Sequence, residues 1–198
     1  IPADEVRIIA AVDGVIEDIS QAQALPACEI GEIIVKGKNI SPAYFELPEG
    51  TAAAKIADRD GFWHRMGDVG YLNEAGGLYF CGRKAHIVRH GGRVFYSVPV
   101  ERIFNQHSRV KRCALIAWGR EGEPGIVIEP YPQYWPETEE ARRNFTRELK
   151  ELAAGSPLTS SIRRIFFHPS FPVDARHNAK IFRDKLGAWA GSQPSGQE

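Results

Sequence analysis

Three side chains of this 198-residue chain stand where chemistry could be done: Asp68, Arg83 and Lys180. Asp68 lies in "FWHRMGDVGY", between Gly67 and Val69 with Gly70 beyond, at the entry to a hairpin pattern. Glycines there permit tight backbone geometry and close approach of a ligand. A carboxylate so placed offers two oxygens to a vicinal diol, as acids do with a nucleotide ribose. The plainer alternative is a turn aspartate bonded to its own backbone. Arg83 follows Gly82 in "YFCGRKAHIVRHGGR". Its planar fork of donors suits hydroxyl or phosphate oxygens, or simply a surface carboxylate. Lys180, in "DARHNAKIFRDKL", comes after the polar run Asp174, Arg176, His177 and Asn178. It precedes Ile181, Phe182, Leu186 and Trp189, whose spacing predicts one apolar helix face. A lysine at such a junction can be aimed, although a helix-start lysine can equally be a solvated charge.

The remaining candidates are less pointed. Gly91-Gly92-Arg93 has some likeness to a phosphate-cradling turn, but an ordinary hairpin explains it as well. His86 and His90 are four residues apart, a spacing that suits a metal on a helix. Their surroundings read as strand, where the same spacing separates them, so no metal pair is expected. Cys28, Cys81 and Cys113 are far apart and in apolar or strand-like settings; they read as reduced core residues, which fits the cytoplasm. Lys plus Arg and Asp plus Glu number 25 each, so no overall field attracts nucleic acid or an anionic membrane. No apolar run approaches the length of a membrane span, and no signal-peptide pattern opens the chain. The chain begins at Ile1 and enters strand-like sequence at once, which suggests a fragment of a longer protein.

The elements that must position these residues change character along the chain. Residues 1–82 read mostly as short strands: "EVRIIAAVDG", "GEIIVKG" and a hairpin in "GDVGYLNEAGGLYFCGR", turning at Asn73, Gly76 and Gly77. "YFELPEGTAAAKIADRDGFW" reads as a loop with at most a short helix. Such spacing predicts a small barrel-like unit or a distorted sheet. Residues 83–190 alternate strand and helix without strict βαβ repeats, as a small α+β domain does. A hairpin is expected around Gly91 and Gly92, a helix in "VPVERIFNQHS", and strands in "VKRCALIAWG" and "GIVIEPY". "ETEEARRNFTRELKELAAG" predicts a helix with acids in its first turn and Gly155 past its end. "IRRIFFHPS" is a further strand, a closing helix follows Lys180, and the polar residues 191–198 read as a disordered tail. A hinge is expected where the pattern changes, near Gly82 and Arg83.

"GEIIVKGKNISPAYFELPEGT", "FWHRMGDVGYLNEAGGLYFCGRKAHIV" and "NAKIFRDKL", in that order, resemble the C-terminal third of the adenylate-forming superfamily. Its members include acyl-CoA synthetases, luciferases and peptide-synthetase adenylation domains. The resemblance spans roughly residues 5 to 190. It implies that Asp68 binds the ribose hydroxyls of ATP or AMP and that Arg83 also contacts the ribose at a domain junction. It implies that Lys180 bridges the substrate carboxylate and the α-phosphate, with ATP as substrate and magnesium neutralising the leaving pyrophosphate. Arg93 matches the family's arginine after the glycine turn only with a one-residue gap.

Two departures narrow the resemblance. Ala85 stands at the hinge position, where most members carry an acid or a lysine, and "NAK" replaces the common "SGK". With "RHNAKIFRDKL", these features look similar to the β-lactone synthetases of bacterial long-chain olefin biosynthesis, which adenylate a β-hydroxy acid and close its ring. His177 could help orient that hydroxyl. The alternatives are a long-chain fatty acyl-CoA ligase, which would add CoA as a cofactor, and a non-catalytic partner-binding module. The family's Ser/Thr/Gly-rich phosphate loop and acyl pocket match nothing in this chain. The resemblance therefore implies a missing N-terminal domain as partner and an isolated fragment without activity.

Overall fold

The structure, a computed structural model, describes residues 5–174 and 177–193, with the side chains of all of these except 177–179. The chain divides into two compact units, Ile1–Ala85 and His86–Glu198. It is a mixed α+β fold in which each unit has its own sheet and its own core.

The first unit is built on β1 (Val6–Ile9), β2 (Gly31–Val35), β3 (Lys55–Asp58), β4 (Gly61–Leu72) and β5 (Leu78–Arg83). β1, β2, β4 and β3 lie side by side in that order, and β5 pairs with the far half of β4. All these pairings are antiparallel. Of the two forms left open by the sequence, the unit takes the open, distorted sheet, with register shifts on both sides of β4. Alternation assigns neighbouring isoleucines to opposite faces. Ile34 joins Ile9, Ile16, Ile56 and Trp63 in one cluster, whereas Ile33 joins Val6 and Ile8 in another.

The stretch expected to be mostly loop holds more structure than that. Helix α1 (Pro48–Ala54) runs straight into β3, which forms a hairpin with β4. Lys55–Asp58 has a single apolar residue of any size, Ile56, so no alternation announces a strand. The strand exists because Ile56 is fully buried against the sheet core.

The second unit has β6 (Val88–His90), β7 (Arg93–Phe95), α2 (Ser97–Phe104), β8 (Val110–Trp118), β9 (Glu123–Pro130), α3 (Glu139–Ala154), β10 (Arg164–Phe167), β11 (Val173–Asp174), β12 (His177–Ile181) and α4 (Arg183–Gly191). The expected hairpin at Gly91-Gly92 forms between β6 and β7, with both glycines at positive φ, +55° and +73°. Only a two-residue turn of that left-handed kind matches the strands' twist, and glycine adopts it without strain. β8 and β9 are antiparallel, and α3 carries the chain across to β10, which runs parallel to β9. Thr138 caps α3 by accepting from the Ala141 N–H, with Glu139 and Glu140 in the first turn.

β9 is the central strand, and Ile126, Val127 and Ile128 are wholly buried, as a strand covered on both faces must be. On one face Cys113, Leu115, Ile126 and Ile128 pack with Val100 and Phe104 of α2 and Phe145 and Leu149 of α3. On the other, Ala114, Ile116 and Val127 pack with Phe171 and with Leu186 and Ala190 of α4. Each such fully buried Leu, Ile or Phe contributes roughly 1.5–3 kcal/mol of transfer free energy.

Three expectations need correction. Cys28 is exposed rather than in a core. It sits at φ +67° in a turn, and its N–H donates to the Leu72 carbonyl. That backbone placement, rather than the apolarity of the thiol, fixes where it lies. Lys180 is on strand β12 and not at a helix start; α4 begins at Arg183, so Ile181 and Phe182 precede the helix. The apolar spacing that suggested a longer helix arises because Ile181 packs from the strand onto the same cluster as Leu186 and Trp189. Gly191, placed in the tail by its sequence, closes α4, and residues 194–198 lie outside the described residues. Among the described residues no helix is long and apolar enough to cross a membrane.

Candidate functional site

β4 and β5 bring Asp68 and Arg83 face to face. The two are direct cross-strand partners, and Arg83 Nη1 donates to Asp68 Oδ1 at 2.7 Å. The register changes immediately afterwards, between Val69 and Gly70. A Cβ on Gly70 would lie 2.3 Å from the Tyr79 carbonyl oxygen, so the close approach of β5 at this bulge requires glycine. Arg83 Nη1 also reaches the Met66 carbonyl at 3.4 Å. The Asp68 side chain is 19% exposed and that of Arg83 58%. Asp68 Oδ2 has no hydrogen-bond partner among the described residues, and most of the Arg83 fork faces outward. The pair therefore presents one free acceptor beside several free donors, a combination matched to a diol.

Beside Arg83 lies a cleft of about 570 Å³, lined by Gly14, Tyr44, Arg65, Gly67, Arg83 and Lys84 among others. Its floor is a buried charge network that the sequence reading did not find. Arg65 of β4 donates through Nε and Nη2 to the Glu32 carboxylate of β2 at 3.1 and 2.7 Å. The side chains are only 5% and 2% exposed. The remaining guanidinium donors reach the carbonyls of Gly14 at 2.6 Å, Val12 at 2.7 Å and Ala53 at 3.3 Å. Lys84 adds a second cation 3.1 Å from Glu32 Oε2, and its ammonium also donates to the Val12 carbonyl. A buried ion pair is tolerable only when its leftover donors and acceptors are satisfied, as they are here. One signal was available: Glu32 is the lone charge inside the apolar run "GEIIV". Among the described residues no group of three or more His, Cys, Asp or Glu side chains converges to hold a metal ion. The magnesium implied by the resemblance has no such group to hold it among the described residues.

Lys180 belongs to the second unit. It is exposed on β12, and it makes no hydrogen bond or ion pair with any described residue. β11 and β12 form a small hairpin in which Val173 pairs with Ile181 and Asp174 with His177. The His177 backbone is thereby placed near that of Asp174, and its side chain lies outside the described residues. The base of the hairpin is closed by the Phe182 N–H, which donates to the Pro172 carbonyl at 2.9 Å. Arg83 and Asp68 come together; Lys180 is carried by a different unit.

The other candidates make local contacts. Arg93 donates to the Pro157 carbonyl at 2.5 Å and lies over the Phe95 ring. Ala85 is exposed within a single 3-10 turn, Lys84–His86. His86 accepts at Nδ1 from Arg183 Nε at 3.1 Å. His90 lies 3.4 Å from the Glu121 carbonyl, so the two histidines serve separate backbone and side-chain contacts. Arg183 also pairs with Glu101 of α2, whose carboxyl is pushed up by burial against the opposing pull of Arg183 and of the Leu115 N–H.

No family model matches the chain. It is 42% identical to the olefin beta-lactone synthetase of Xanthomonas campestris over 96% of its own length and 35% of that protein's. It is 41% identical to the olefin beta-lactone synthetase of Stenotrophomonas maltophilia, with the same coverage. The chain thus spans about a third of the length of these curated relatives. Its fold matches the anthranilate CoA ligase AuaEII, solved with anthranoyl-AMP, with a TM-score of 0.74 at 23% identity over 94% of this chain and 34% of that one. Along nearly its whole length the chain is thus similar in sequence to olefin beta-lactone synthetases, and its fold is that of the matching third of an anthranilate CoA ligase.

Proposed function

We propose that the chain is the C-terminal third of an ATP-dependent synthetase that activates a long-chain carboxylic acid as its acyl-adenylate. In this reading Ile1–Ala85 completes a larger nucleotide-binding domain, and His86–Glu198 is a mobile lid hinged at Ala85. The observation that carries it is the Asp68–Arg83 pair, held in direct cross-strand register with an acceptor and several donors left open. Asp68 and Arg83 hold the ribose. Lys180 supplies a positive charge where the carboxylate attacks the α-phosphorus and pyrophosphate departs. Negative charge grows on the phosphoryl oxygens in that step, and an ammonium already aimed at them stabilises the transition state more than the ground state. Magnesium, when bound with ATP, would neutralise the pyrophosphate.

The favoured product is a β-lactone from a β-hydroxy acid. The names of the 41–42% identical relatives support this, as do Ala85 at the hinge and "RHNAK" at the lysine. A tethered β-hydroxyl is already beside the activated carbonyl, so ring closure has an effective concentration that a diffusing thiol lacks.

The test uses the full-length protein with ATP, magnesium and a long-chain β-hydroxy acid, with and without CoA, and identifies products by NMR. A lactone formed without CoA supports the proposal; a CoA thioester as sole product, with no turnover when CoA is withheld, identifies an acyl-CoA ligase instead. Rapid-quench measurement then separates the residues. Lys180→Ala lowers acyl-adenylate formation by about 10²–10³-fold with ATP binding nearly unchanged, whereas Asp68→Ala chiefly weakens nucleotide binding.

A further inference from the structure

Arg183 opens helix α4 three residues after Lys180. Its side chain is only 14% exposed and faces a Glu101 side chain that is 12% exposed. Nη2 donates to Glu101 Oε2 at 3.1 Å, Nη1 lies 3.0 Å from Oε1, and Nε donates to His86 Nδ1 at 3.1 Å. Glu101 is itself fastened: its Oε1 accepts from the Leu115 N–H at 2.8 Å. Leu115 lies in β8, the outer strand of its sheet, so this carboxylate ties α2 to that strand and offers its second oxygen to α4. The guanidinium is thus held at Nη2 by α2 and at Nε by His86, while Nη1 lies beside Glu101 without a hydrogen bond.

A desolvated ion pair is a poor way to gain stability, because an apolar pair of similar volume would do at least as well. What a planar guanidinium fixed at two of its nitrogens supplies is direction: holding Nη2 on Glu101 and Nε on His86 constrains the orientation of the fork and of the backbone that carries it. Here that backbone is the junction between β12 and α4. The junction is held at Phe182, whose N–H donates to the Pro172 carbonyl, and at Arg183, while Lys180, three residues before Arg183 on β12, is exposed and has no hydrogen bond or ion pair with any described residue. The hairpin therefore has a fixed exit, and its ammonium is free of partners among the described residues.

We propose that Arg183, clamped by Glu101 and His86, is the positioning residue that aims Lys180. The proposal rests on the reading of Lys180 as the residue that acts in adenylation. Arg183 touches no reactant; it sets the path by which β12 leaves for α4, and so the direction of the lysine side chain. A displacement of about 1 Å at a reacting group can cost about 10²-fold in rate.

The experiment measures single-turnover acyl-adenylate formation, equilibrium ATP binding and thermal unfolding in the full-length protein. The variants are Lys180→Ala, Arg183→Met, Arg183→Lys, and Arg183→Met combined with Lys180→Ala. Arg183→Met is expected to slow adenylation by about 10²-fold while ATP binding stays within about twofold. Arg183→Lys, which keeps the charge but loses the fork, falls between Arg183→Met and wild type. It also serves as the informative variant should Arg183→Met fold poorly. In the Lys180→Ala background, Arg183→Met should cause no further loss, because a residue acting through the lysine has nothing left to aim. If Lys180→Ala slows adenylation but the Arg183 variants stay within twofold of wild type, or if the two losses simply add, the positioning role is wrong. If Lys180→Ala itself leaves the rate within twofold, the underlying assignment of the lysine fails instead.

Discussion

Asp68 and Arg83 were singled out by type and by neighbouring glycines, and the register of β4 with β5 sets them opposite one another. Their partners in the cleft were not legible. Glu32, Arg65 and Lys84 are separated by up to 52 residues, and pairing over that span is a property of strand register that local sequence does not carry. The depth of this network sets its sensitivity. Arg65→Ala leaves the Glu32 carboxylate with Lys84 alone and strips donors from three carbonyls, so it should cost about 3–5 kcal/mol of stability, measured by urea unfolding. The thiols give a second test. All three cysteines are free, with Cys28 exposed and Cys81 and Cys113 buried. Burial raises the Cys81 and Cys113 thiols above the ordinary range, removing the reactive thiolate. An aromatic disulfide reagent should therefore titrate Cys28 rapidly in the native chain and the other two only after denaturation.

At the scale of elements, turn chemistry was the most readable feature. Asn73 and Gly77 close the β4–β5 hairpin through the Asn73 side chain, and Gly91-Gly92 closes β6–β7, because such turns depend on a few residues in a row. Strands with little alternation were missed or misread: β3 rests on Ile56, and β12 borrows its apolar neighbours from α4. The β3–β4 hairpin carries its own titrating lock. Asp58 accepts from Lys36 Nζ at 2.8 Å and from Trp63 Nε1 at 2.9 Å. The Lys36 bond first, then Trp63 and the Arg59 N–H, hold its carboxyl down at about 2. An unfolded aspartate titrates near 3.9, so the folded state favours the ionised form. The stability this contributes is fully present above about pH 4 and disappears as pH falls towards 2. Melting temperatures of wild type and Asp58→Asn should therefore differ at pH 5 to 7 and converge towards pH 2.

At the scale of the molecule, the chain carries the Asp68–Arg83 pair in one unit and Lys180 in the other, and it spans only about a third of the curated relatives it matches. The 198-residue chain alone is expected to show no ATP–pyrophosphate exchange with any fatty acid, measured with labelled pyrophosphate; robust exchange abolished by Lys180→Ala would refute this. The Lys84 side chain is moored to Val12 and Glu32 within the first unit, and the His86 side chain is moored to Arg183 within the second. Peptide planes are stiff. In the proposed hinge, a swing would fall chiefly on φ and ψ of Ala85, with ψ of Lys84 and φ of His86. Because alanine has a Cβ, the left-handed basin that glycine would enter freely costs it roughly 1–2 kcal/mol. The proposed lid, if it swings here, would therefore move between a few torsional stops, like a ratcheted swivel, with the stops written into the choice of alanine.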